Sequence, residues 1–122
     1  IAKFNVLHVL SGLVKGMPKD HLDRMNRESN NQKIDSILIP CFSLNTILKA
    51  INTTQVDYFS LDVKGGEINV LQSLNLKKLN IKTFTVEHNG YEMRREILTN
   101  YFLNNNYKIA KLDMQDIYVI KN

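Results

Sequence analysis

The apolar positions of this chain change spacing several times between its ends, and each change marks a new element. Ala2 to Leu10 has the composition of a strand, after which Ser11, Gly12, Gly16 and Pro18 supply turn chemistry. Pro18 suits the first turn of a helix. In that helix Asp20 with Arg24 and Asp23 with Arg27 stand at i,i+4 spacing, and Leu22 and Met25 form a thin apolar stripe. Ile37, Leu38 and Ile39 then make a short strand that Pro40 ends, and Ser43 stands where an N-cap belongs. Leu44, Ile47, Leu48 and Ile51 follow at helical spacing. Val56 to Val63 is almost continuously apolar and runs into an acid and two glycines, the pattern of a strand buried on both faces of a parallel sheet.

The second half keeps the alternation. Glu67 falls in the first turn of a helix, where the dipole favours a carboxylate, and Ile68, Leu71 and Leu74 give that helix an inner face. A strand over Ile81 to Glu87 ends in Glu87, His88, Asn89 and Gly90; Ile97, Leu98, Tyr101 and Phe102 mark a further amphipathic helix that stops at the cluster Asn104 to Asn106. Tyr107 to Leu112 and Ile117 to Ile120 read as an antiparallel hairpin around a turn holding Asp113, Gln115 and Asp116. Strand, helix, strand, helix, strand, helix and hairpin predict an α/β fold with a mixed, mostly parallel sheet closed by a C-terminal antiparallel hairpin. In such sheets ligands bind at the carboxyl ends of the parallel strands, which points to Asp62 with its glycine turn and to Glu87, His88 and Asn89.

Composition narrows the function classes. With 122 residues and 43% hydrophobic residues there is material for one core, and no apolar run nears the roughly 20 residues that span a bilayer. The formal charge of +4 suggests an acidic partner, but along the sequence Lys77 and Lys78, or Arg94 and Arg95, are the densest cation pairs and acids are interleaved with them. A nucleic-acid binder is therefore not expected. Cys41 is the only cysteine, so no intrachain disulfide forms, and a reduced, cytoplasmic setting fits best. Cys41 itself is expected to be a buried or half-buried thiol without a chemical task.

Several side chains could carry chemistry. If the strands ending at Asp62 and Glu87 are neighbours, the two acids leave the sheet at the same edge, about 4.8 Å apart laterally. There they could position a cation, a hydroxyl or an ammonium. Equally, Asp62 could cap the glycine turn and Glu87 could meet a lysine or a helix end. His88 could accept a proton near neutral pH, although a loop histidine is more commonly a hydrogen-bonding residue. His8 and His21 have no companions at ligand spacing, so no metal is expected. Gly65 and Gly66 sit in no nucleotide-binding pattern, and neither Ser43 nor Cys41 has the context of a hydrolase nucleophile.

The stretch VDYFSLDVKGGEINVLQSL, followed by IKTFTVEHNGYEMRREI, resembles the FkbM-type methyltransferases, whose signature is an L-D-(V/I)-E-G-(G/A)-E turn and a downstream strand ending in V-E. The segment IPCFSLNTIL is similar to the short strand and helix that precede that turn, and the resemblance runs from about Ile34 to Lys121. SGLVKGMPKDHLDR is similar to a variable substrate-side insertion. The resemblance implies a partial Rossmann-like, class I fold in which 1–35 is an N-terminal strand with a variable helical insertion and 36–122 is the C-terminal half of a methyltransferase domain.

It also implies S-adenosylmethionine as cofactor and a hydroxyl on a sugar or other small molecule as acceptor. Asp62 would lie near the transferable methyl group, as both a catalytic and a cofactor-binding residue, and Glu87 and His88 would be catalytic. Lys64, Glu67 and Asn89 would face the acceptor. Lys64 departs from the family, which usually has Glu there. The family's glycine-rich turn and its ribose-binding acid do not occur in Ile1 to Asp35, so weak or absent cofactor binding is expected of this chain alone. The alternative expectation is a non-catalytic half-Rossmann interaction domain, and in either case self-association through an exposed sheet edge is expected.

Overall fold

In the computed structural model the described residues are 1–7, 12–13, 15, 17–30 and 33–122. Expectations resting on His8, Leu10, Ser11, Gly16 and Asn31 lie outside them. The chain divides into two compact units, one made of Ile1–Phe42 with Val63–Gly66, the other of Ser43–Asp62 with Glu67–Asn122.

The first unit holds a three-stranded antiparallel sheet. Strand β1 (Ala2–Asn5) lies between β2 (Gly12–Leu13) and β3 (Ser36–Ile39), with Ala2 opposite Ile39 and Phe4 opposite Leu13. Helix α1 (Lys19–Glu28) follows Pro18, whose extended backbone starts the helix without a side-chain cap. Met25, fully buried, packs with Met17, Leu7, Leu22 and Ile34 in a small core, as the apolar stripe requires. The expected pairing of Arg24 with Asp20 gives way to Arg24 with Glu28, at 2.7 Å. That direction places the cation one turn before the acid on an exposed face, where the pair contributes only tenths of a kcal/mol. Cys41 is exposed, against the expectation of a buried thiol, because it stands in the irregular segment after β3.

The second unit carries the larger core. Its sheet has the order β4 (Gln55–Leu61), β5 (Asn80–Glu87), β7 (Asp116–Lys121), β6 (Tyr107–Leu112). The β4–β5 pairing is parallel, and β5–β7 and β7–β6 are antiparallel, so the sheet is mixed and closes on the predicted hairpin. Helices α2 (Leu44–Ala50), α3 (Glu67–Ser73) and α4 (Glu92–Asn104) separate the strands in the alternating order that the spacing predicted. Ser43 caps α2, its hydroxyl accepting from Thr46 N–H at 3.2 Å.

Ile81, Phe84 and Val86 of β5 and Ile117 and Val119 of β7 are fully buried, as befits the two central strands. Phe84 stacks edge-on and tilted against Phe59, Phe102 and Tyr107, which ties β4, α4 and β6 to one aromatic centre. β4 differs from expectation. Rather than being buried on both faces it is an edge strand, with Asp57, Tyr58 and Ser60 exposed and only Leu61 fully inside. Its apolar run is explained by Val56 and Phe59, which pack on the core, while Tyr58 reaches Thr85 Oγ1 with its hydroxyl at 3.0 Å. On α2 only Leu48 is buried, and Ile47 and Ile51 are exposed.

Candidate functional site at the carboxyl edge of the sheet

Register brings the predicted acids together. Leu61 pairs with Val86 in the parallel ladder, so Asp62, the next residue of the chain, stands level with Glu87 at the end of β5. Five residues later the backbone turns into α3, whose first residue is Glu67. One carboxylate oxygen of each of Asp62, Glu67 and Glu87 lies within 4.8 Å of the others. Asp62 is exposed, Glu87 half-buried and Glu67 buried. Among the described residues this is the group of side chains that has the spacing to hold a metal ion, although the sequence pointed to none.

Three acids at this separation repel one another by roughly 3 to 4 kcal/mol per charged pair at an effective dielectric of about 20. Positive charge at the site is therefore stabilising. Arg94 supplies some of it: its guanidinium reaches from the first turn of α4 to 3.9 Å from Glu67 Oε2. Sequence reasoning missed this residue, noting it only as half of a cation pair. The available signal was position, because a cation in the first turn of a helix opposes the helix dipole and needs a carboxylate to offset that cost.

The turn after Glu87 is fixed by the hairpin. His88 N–H donates to Gln115 O at 2.7 Å and Asn89 N–H to the same carbonyl at 3.1 Å. The His88 ring is buried; its Nδ1 accepts from Gly90 N–H at 3.1 Å, and its Nε2 has no hydrogen-bond partner. Nδ1 as acceptor leaves the proton of the neutral ring on Nε2. Asn89 (φ 56°) and Gly90 (φ 73°) are both left-handed, and a Cβ on Gly90 would come within 3.3 Å of Met114 O. Asp113 closes the hairpin from the other side, its Oδ1 accepting from Gln115 N–H and Asp116 N–H. Those two backbone donors hold its carboxyl well below the usual range, at about 2.

The loop Val63–Gly66 contains Lys64 and Gly65, both left-handed, at φ 54° and 111°. Gly65 takes that conformation without strain, whereas for Lys64 it costs about 1 to 2 kcal/mol. The edge as a whole is acidic. Besides the three clustered carboxylates it holds Glu92, Asp113 and Asp116, while Arg95 and Lys111 pair with Glu92 and Asp113.

Residues 6–109 match the family described as the methyltransferase FkbM domain. The chain belongs to that family. Nothing matched among curated proteins or solved structures. The matched span includes Asp62, Glu67, Glu87 and Arg94, so the acidic cluster lies inside the methyltransferase domain. No helix among the described residues is long and apolar enough to cross a membrane.

Proposed function

We propose that the chain takes part in methyl transfer from S-adenosylmethionine to a hydroxyl of a sugar or similar small molecule, with the carboxyl edge of β4 and β5 as the reacting side. The observation that carries this reading is the convergence of Asp62, Glu67 and Glu87 in an FkbM methyltransferase domain, at the edge where α/β sheets bind ligands. The residues suit the cofactor by charge: a sulfonium and an ammonium are cations, and this edge is rich in carboxylates. When bound, the cofactor supplies a methyl group made electrophilic by the sulfonium.

The chain's own residues then divide the work. Asp62, exposed at the strand end, is placed to accept the proton of the acceptor hydroxyl and to bond the cofactor. Glu87, half-buried beside it, shares that role as a base or orients the hydroxyl. Glu67 is held by Arg94 and fixes the negative potential of the site without leaving it. His88, through Gly90 N–H and Gln115 O, sets the turn that presents Glu87 and Asn89. Asn89 would contact the acceptor.

Transfer of a labelled methyl group from S-adenosylmethionine to a panel of hydroxylated sugars, with calorimetry for cofactor binding, tests the reading. Label incorporated by the parent and lost in Asp62→Asn supports it. Saturated cofactor binding with no transfer to any hydroxyl would overturn it.

A further inference from the structure

The charge of the second unit is segregated in space although it is mixed along the sequence. Acids collect at the carboxyl edge described above, whereas the amino ends of β4 and β5 are flanked by Lys49, Lys77, Lys78 and Lys121. Asp57, the acid of β4, is already bonded by Lys82 at 2.6 Å. Lys121 in turn bonds Asn80 Oδ1, which places it at the start of β5. The potential at this end is therefore positive, opposite in sign to that of the methyl-transfer edge.

A cavity of about 380 Å³ opens at this basic end, within the size range of small-molecule sites. Its apolar lining comes from Leu48 and Leu79, both buried members of the core. Lys49, in the last turn of α2, and Lys78, before β5, approach it from two different segments, and Thr53 and Asn75 add polar groups. The walls are set by backbone hydrogen bonds. Thr53 N–H donates to Leu48 O at 3.0 Å, Lys78 N–H to Asn75 O at 2.9 Å, and Asn80 N–H to Thr54 O at 2.7 Å. The Asn45 side-chain amide, also on the lining, donates to Ser73 O and ties α2 to the end of α3.

We propose that this cavity binds a small amphipathic anion, a phosphate monoester with a compact apolar body, at a site separate from the methyl-transfer edge. The apolar body lies on Leu48 and Leu79. The dianionic head meets Lys49 and Lys78, whose two charges match it, and the lysine stems add apolar cover. An extended polyanion fits less well, because the cations surround a cavity instead of forming a stripe.

The test is a titration of the 122-residue chain with phenyl phosphate, followed by amide NMR, in the absence of any cofactor. Saturable shifts centred on Thr53, Asn75 and Lys78 are expected, weakened about tenfold in Lys49→Gln and in Lys78→Gln, as the loss of one charge-assisted contact predicts. Inorganic phosphate and benzyl alcohol should each bind more weakly than phenyl phosphate. No saturable shift, or binding unchanged in the Lys49→Gln, Lys78→Gln double variant, overturns the proposal. Equal binding of benzyl alcohol would reduce the cavity to an apolar cleft and also overturn it. None of these outcomes depends on whether the chain transfers methyl groups.

Discussion

Arg94 Nη1 lies 3.9 Å from Glu67 Oε2, so the first turn of α4 is tied to the first residue of α3, itself a member of the acidic cluster. The carboxylate is buried and the guanidinium largely so. Truncating the cation leaves an anion in the interior with less compensation, which costs more than a surface pair of the same length would gain. Arg94→Met is expected to lower stability by about 1 to 3 kcal/mol in urea denaturation. Combined with Glu67→Gln the loss should shrink, because the charge that needed Arg94 is gone. A double-mutant cycle with no coupling would show that the two side chains act independently.

Asp62 and Lys64 are two residues apart but should differ in consequence. Asp62 directly follows β4 at the ligand edge and is exposed, so its replacement removes a group placed to take a proton. Asp62→Asn is expected to reduce methyl transfer by roughly a hundredfold or more, the usual scale of a lost general base, and Lys64→Ala by less than tenfold. Steady-state assays at equal folded fraction decide. Comparable turnover by Asp62→Asn and the parent would remove Asp62 from the mechanism.

The positions of these residues were legible in the sequence to different degrees. Glu87 and Asp62 could be placed at one edge because each follows a short apolar run, and strands of that kind beside helices form parallel pairs. The hairpin from Tyr107 was legible because alternation and a polar turn are local signals. Glu67 was readable as a helix-start acid, but its place within 4.8 Å of the other two depends on how the Val63–Gly66 loop folds back, which no spacing rule specifies. Burial of β4 was misjudged for a related reason: an apolar run records composition, whereas the edge position is a property of the whole sheet. Cys41 shows the same limit, since a thiol after a proline carries no periodicity from which exposure can be read. The basic cavity was invisible along the chain because Lys49, on α2, and Lys78, before β5, lie in different segments and line one cavity only in the folded chain.

Acid should loosen the hairpin turn that supports Glu87. Asp113 is held at about 2 by the backbone N–H groups of Asp116 and Gln115, against an ordinary value of 3.8. A carboxyl whose pKa is lower in the folded chain contributes stability above the unfolded value, and that contribution is lost as pH falls from 3.8 through about 2. Asp113→Asn keeps an oxygen to accept the same bonds but cannot titrate. Thermal melts across this window should show the parent losing stability faster than Asp113→Asn. Parallel pH profiles would mean that the turn does not depend on the ionised carboxylate.

Alkali should act through Tyr107. Its hydroxyl donates to Ile81 O at 2.7 Å inside the aromatic centre, linking the start of β6 to β5. Burial, and secondarily the neighbouring Tyr101, pushes the phenol from 10.0 to about 12. Since the raised pKa favours the protonated form in the folded chain, the associated stability is complete below pH 10 and is lost as pH climbs from 10 through about 12. Tyr107→Phe removes both the titration and the bond to Ile81, leaving a buried carbonyl with one donor fewer. The variant should be less stable by about 1 to 2 kcal/mol at neutral pH and should show a flatter decline above pH 10. Phenolate absorbance offers an independent check, because Tyr107 should be the last tyrosine to ionise and should do so together with unfolding. A variant as stable as the parent at neutral pH, with an unchanged alkaline decline, would show that neither the bond nor the buried hydroxyl holds β6 to the sheet.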